Sequence, residues 1–182
     1  MIKLTPRLKT IAEEIENGET MADIGTDHGF LPVYLWETGI SPKVIMADVS
    51  PGSLAKAEQN CHSLHPETSF DLRLGNGLEV LRPGEVDAVA IAGMGGILMT
   101  EILGADLEKS WSFKKFILQP RNRIGQLRCW LYNNQFSVVN EKLVREGKFI
   151  CEVLTVVPKE IAVTGDLGPD DIEYEFPHKL VD

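Results

Sequence analysis

Cysteine is scarce in this 182-residue chain: Cys61, Cys129 and Cys151 stand far apart and form no CxxC pair. That usage predicts buried, reduced thiols in a cytosolic protein. Long apolar runs are missing as well. None reaches bilayer length, and the N-terminus carries no signal-peptide pattern, so a cytoplasmic protein without a membrane segment is expected. Histidine, cysteine and aspartate nowhere recur at metal-ligand spacing, so no metal is implied. Basic residues are outnumbered, 18 against 27 acidic ones, for a net charge of −9. This balance excludes a protein that coats nucleic acid through its whole surface.

What remains is globular in character. Hydrophobic residues make up 43% and charged residues 25%, and the length suits one domain with a substantial core. The charge is uneven. Residues 111 to 150 hold eight basic side chains against Glu141 and Glu146, a local excess of six, which leaves the remainder at −15. Such a segment is either a solvated face or a site for an anionic partner.

Apolar segments alternate in type along the chain. "LTPRLKTIAEEI" reads as a helix with Thr5 as N-cap and Pro6 at its first position, ended by Gly18. "MADI", "KVIMADVS", "SFDLRLGNG", "VDAVAIAGMGG" and "KKFILQP" read as strands, with helices between them at "LPVYLWETG", "PGSLAKAEQNC", "ILMTEILGA" and "GQLRCWLYNNQ". "FSVVNEKLV" and "KFICEVLTVV" follow with no room for a helix, joined by a hairpin turn at Arg145-Glu146-Gly147. The pattern predicts an α/β fold: a Rossmann-like, seven-stranded, mostly parallel sheet with helices on both faces and a C-terminal β-hairpin. Residues 1–158 form the domain. Residues 159–182 read as an acidic extension.

In open α/β sheets the ligand lies beyond the carboxyl ends of the strands, and four of those ends carry unusual chemistry. The first is Asp23-Ile24-Gly25-Thr26-Asp27-His28-Gly29. Asp27 stands where a dinucleotide-binding loop has its second glycine, and a carboxylate there repels a pyrophosphate. The loop suits a ligand with a cationic or hydrogen-bond-donating end, an amino-acid-bearing nucleoside rather than a dinucleotide. The second is Asp48, which can accept hydrogen bonds from both hydroxyls of a ribose. The third is Asn76-Gly77, where the amide can meet an adenine edge. The fourth is "AGMGG" at 92–96, open enough for a flat base with Met94 as an adaptable wall. Taken alone, each has an ordinary structural explanation: a turn, a helix cap, a structural histidine.

Together these stretches resemble the class I S-adenosylmethionine-dependent methyltransferases, and more closely the bacterial tRNA (adenine(22)-N1)-methyltransferase family. "RLKTIAEEI", "MADIGTDHGFLP", "LRLGNGLEVL", "VDAVAIAGMGG", "FILQP" and "CEVLTVV" carry the resemblance, in order, from about residue 7 to residue 157. It implies that Asp23, Gly25, Asp27, His28 and Gly29 line the methionine side of S-adenosylmethionine. It implies Asp48 and Val49 at the ribose, Asn76 and Gly77 at the adenine, and Gly93, Met94 and Gly95 facing both cofactor and incoming base. Asp27, then His28, are the candidates for a polar role at the reacting centre. Met94, Gly95, Gln119, Pro120, Arg121 and Arg123 are the substrate-side candidates. Arg121 and Arg123, joined by Arg128 and by Lys3 or Arg7 from the first helix, are expected on the tRNA backbone. Members of that family continue into a helical C-terminal domain associated with holding tRNA, and its absence or removal is expected here. Two other readings stay open at this point: methylation of a small molecule or protein, and a non-catalytic S-adenosylmethionine-binding module. The oligomeric state is not specified.

Overall fold

Thr5 and Pro6 open the first helix as their positions require. The Thr5 hydroxyl accepts from the Leu8 N–H, and Pro6 takes the first position, where no N–H is needed. The computed structural model describes residues 2–159; apart from Lys159, the acidic stretch expected as an extension lies outside the described residues. The elements run α1 (Pro6–Ala12), β1 (Met21–Ile24), α2 (Phe30–Glu37), β2 (Val44–Asp48), α3 (Pro51–Leu64), β3 (Asp71–Leu74), β4 (Ala88–Met94), α4 (Gly96–Gly104), α5 (Leu107–Trp111), β5 (Lys115–Pro120), α6 (Ile124–Asn133), β6 (Phe136–Glu146) and β7 (Phe149–Pro158). A 3-10 turn occupies Gly77–Val80.

The seven strands form one sheet in the order β3-β2-β1-β4-β5-β7-β6. The first five are parallel, and β7 alone runs against its neighbours, between β5 and β6. The expected architecture is therefore observed. Side chains alternate across the sheet. Ala88 and Ala90 of β4 join the apolar cluster under α1, α2 and α3, whereas Val89 and Ile91 join the opposite one under α4 and α6. Both faces are covered, which is why these strands read as continuous apolar runs.

The structure departs from expectation in three places. α1 ends at Ala12 and gives way to tight turns, with the N–H of Glu14 on the carbonyl of Ile11 and that of Ile15 on Ala12. The hairpin turn is Gly147-Lys148. Arg145 and Glu146 remain paired, opposite Ile150 and Phe149. The short α5 and the 3-10 turn were not expected, being too brief to show a periodicity. For function the order of the strands matters most. The chain moves outward from β1 to β3, then returns to β4 beside β1, and the crevice beyond that switch is the ligand position of such sheets.

Candidate active site

A cavity of about 570 Å³ opens at the carboxyl ends of β1, β2 and β4, within the ~300–1,000 Å³ typical of small-molecule sites. Its floor is the β1–α2 loop. Gly25 has φ +79°, and a Cβ there would meet the Met94 Cε at 2.3 Å. The positive φ favours glycine, and without a side chain there the flexible end of Met94 can lie against the loop. The N–H groups of Gly25 and Thr26 donate to the Ala47 carbonyl, which pins the loop to β2. Asp27 follows at φ +48°, uncommon for a residue with a side chain. Its N–H donates to Asp48 Oδ2 at 3.3 Å. The Asp27 side chain is 59% exposed and lies 3.4 Å from His28 Nε2, and the His28 ring stacks on Phe30.

Asp23 is buried at the end of β1 and accepts from the Thr26 hydroxyl at 2.9 Å. Burial pushes its carboxyl up to about 6, and the nearby Asp48 adds to the rise, against the Thr26 hydrogen bond and the Arg7 charge. Asp48 accepts from the N–H of Ser50 at 2.8 Å as well as from Asp27, and each of its oxygens keeps a lone pair for a ligand. Val49 beside it is 68% exposed, an apolar surface on the cavity rim. Asn76 also lines the cavity. Among the described residues its amide makes no hydrogen bond.

The far wall is the β4–α4 turn. It interlocks with the loop after β5: Arg121 N–H donates to the Met94 carbonyl, and Gly96 N–H to that of Asn122. A Cβ on Gly96 would lie 2.7–2.8 Å from the Arg123 and Asn122 carbonyl oxygens, so this contact needs glycine. The Arg121 side chain lines the cavity and passes over Gly93. Arg123 is exposed, at φ +56° ahead of α6, and lies outside the lining. Gln119 and Pro120 are buried in β5 and do not reach the cavity.

Two expectations about basic residues change. Arg7 lines the cavity, with Thr5 and Leu8, and is not on an outer face. Its Nη1 donates to Gln119 Oε1 at 3.0 Å, and its Nε and backbone N–H reach Glu146. Nothing in the local pattern of α1 signals this, because every partner is more than a hundred residues away. Arg128 is 3% exposed and paired with Glu141 and Glu152, which removes it from any RNA surface. Lys3 is exposed ahead of α1. Among the described residues no three His, Cys, Asp or Glu side chains converge as a metal would require, and no helix is long and apolar enough to cross a membrane.

This strand order, with its one antiparallel strand and a cavity at the β1/β4 switch, defines the Rossmann-like methyltransferase fold. The chain belongs to the methyltransferase family whose model, described as "Methyltransferase domain", matches residues 4–154. It is 37% identical over 153 residues to the tRNA (adenine(22)-N(1))-methyltransferase of Bacillus subtilis, covering 84% of this chain and 64% of that protein. It thus spans somewhat under two thirds of that relative's length. A crystal structure of a putative tRNA (m1A22) methyltransferase from Streptococcus pneumoniae, in complex with S-adenosyl-L-methionine, superposes with a TM-score of 0.82. The identity is 32%, with 89% of this chain and 76% of that one covered. TrmK of M. capricolum, in complex with S-adenosyl-homocysteine, gives a TM-score of 0.79 at 27% identity, covering 95% and 75%.

Proposed function

We propose that this chain methylates N1 of adenine 22 in tRNA, with S-adenosylmethionine as donor. The observation that carries the reading is the order of chemistry along one cavity. Arg7 of α1 and Asp23 of β1 offer opposite charges, Asp48 a carboxylate at β2, and Asn76 an unengaged amide after β3. That order suits a zwitterionic amino-acid end, a ribose diol and a base edge. On this reading Asp23, Gly25, Asp27 and His28 hold the methionine end, Asp48 and Val49 the ribose, and Asn76 and Gly77 the adenine; Gly29, outside the lining, turns the loop onto Met46 and Ala57. Gly93 and Met94 face the incoming base, and Arg121 and Arg123 the RNA backbone. The names of the relatives support the same substrate, and a tRNA substrate in turn supports a cytoplasmic location, where tRNA is found. Residues 1–158 make up the methyltransferase domain.

When bound, S-adenosylmethionine supplies a methyl group on a positively charged sulfur. Adenine N1 has an available lone pair at neutral pH, so the protein has no proton to remove there, and its task is alignment. N1 lies on the pairing edge, so the base enters unpaired or extruded. Gly93 and Met94 line the cavity and leave room for a flat ring, whereas Gly95 lies behind them against Asn122. Asp27, largely open on the cavity, favours the positive charge that the adenine gains on methylation.

The test is to incubate the chain with unmodified tRNA and methyl-labelled S-adenosylmethionine, then digest and map the label. The reading expects 1-methyladenosine at position 22 and none when that adenine is replaced by guanine. Label at another position or on protein, or cofactor binding without transfer to any tRNA, rejects it.

A further inference from the structure

The end of β4 contains a bulge, and the bulge leaves a backbone group in need of a partner. The register with β5 slips there: Ala92 lies opposite Gln119 and Met94 opposite Pro120. Gly93 is the extra residue, so its N–H falls outside the ladder. Gln119 supplies the acceptor. Its Oε1 takes the Gly93 N–H at 3.1 Å and Arg7 Nη1 at 3.0 Å together. Both partners are obligate donors, which fixes the orientation of the amide. Its Nε2 donates to the Pro120 carbonyl at 2.9 Å.

Gln119 continues the apolar run Phe116-Ile117-Leu118 and is 2% exposed. A buried amide at such a place costs stability unless it is bonded. We propose that Gln119 is a positioning residue for methyl transfer: one carbonyl oxygen ties the bulged wall of the substrate mouth to the Arg7 guanidinium in the cavity. It touches neither ligand, since it lies outside the cavity lining. Its effect passes through Gly93, over which the Arg121 guanidinium lies, and through Arg7, which Glu146 at the end of β6 holds from the other side. Mouth, cavity and hairpin are thereby joined through two hydrogen bonds to one atom. The inference rests on the methyltransferase reading for its kinetic consequence and on the bulge alone for its structural one.

Gln119→Leu and Gln119→Glu test it. In Gln119→Leu the Gly93 amide loses about tenfold or more of its hydrogen-exchange protection. The kcat for tRNA methylation falls by about tenfold, while KM for tRNA stays within about threefold. Gln119→Glu keeps an acceptor for both donors and, in the neutral acid form that burial favours, a donor for the Pro120 carbonyl, and so restores Gly93 protection and most of kcat. Unchanged Gly93 exchange in Gln119→Leu overturns the inference. So does a parallel loss of kcat, tRNA affinity and thermal stability that Gln119→Glu fails to rescue, since that marks a structural role only. If the unaltered chain transfers no methyl to tRNA, the functional reading fails. The tie is then decided by exchange: protection lost in Gln119→Leu and kept in Gln119→Glu sustains it, and equal protection in both removes it.

Discussion

Asp23 and Asp48 end adjacent strands, yet their surroundings differ in kind. Asp48 is half-buried, with two backbone donors and room for more, whereas Asp23 is buried with one hydroxyl. Asp48→Ala removes charge-assisted bonds worth ~1.5–3 kcal/mol each. Calorimetry with S-adenosylmethionine should show at least about a tenfold loss of affinity, and wild-type affinity would take Asp48 out of the site. Asp23 predicts a pH dependence. Its folded value, about 6, lies above the ordinary 3.8, so the folded protein holds this proton more tightly than the unfolded chain. The stability from this group is fully present below about pH 4, falls as pH rises towards 6, and is constant above that. A cationic ligand beside Asp23 has the opposite dependence, because it needs the carboxylate. S-adenosylmethionine affinity should therefore weaken as pH falls through about 6, and Asp23→Asn should flatten that profile. A titration equally steep in Asp23→Asn would assign the dependence elsewhere.

Among the elements, those whose limits depend on local chemistry matched the sequence. Ser50 and Pro51 start α3 as expected, with the Ser50 hydroxyl accepting from Ser53 N–H. The end of α1 did not match, because Glu14 is drawn off by Asn140, Lys142 and Thr155 of the hairpin. The same hairpin explains Arg128. It projects from α6 onto Glu141 of β6 and Glu152 of β7, fastening the helix to both strands. Removing one partner of such a buried cluster leaves uncompensated charge. Arg128→Ala should therefore cost roughly 3–5 kcal/mol. In urea the midpoint should drop with an unchanged slope; a loss below about 1 kcal/mol would mean that water already reaches the two carboxylates.

At the scale of the whole molecule, the basic segment 111–150 divides in two. Lys114, Lys115, Arg128 and Lys142 are held by carboxylates. Among the described residues, Arg121, Arg123, Arg145 and Lys148 pair with none, and the first two flank the cavity mouth while the others sit at the hairpin turn. On the proposed function, an acidic protein thus keeps unpaired cations where the RNA would approach. Replacing Arg121 and Arg123 together by Ala should weaken tRNA binding and reduce the slope of log K against log salt by roughly 1.4–1.8. Arg123→Ala alone should lower the slope and leave cofactor affinity unchanged, since Arg123 is outside the cavity lining. Binding and slope equal to those of the unaltered chain would assign the RNA surface to other residues.

The alternation of strands and helices, the parallel sheet with its final hairpin, and the unusual strand ends at Asp23–Gly29, Asp48, Asn76 and Gly93–Gly95 were all legible in the residues alone. Each depends on periodicity, caps or turn chemistry acting over a few positions, and parallel topology then brings those strand ends to one edge. The fates of Arg7, Arg128 and Gln119 were not legible. Their partners lie 112 positions apart for Arg7 with Gln119, 26 for Gln119 with Gly93, and 13 and 24 for Arg128 with its two glutamates. No local spacing encodes such pairs. A buried polar side chain must find its partner where packing leaves one, and that is decided only when the hairpin, α1 and the β4 bulge meet in the folded chain.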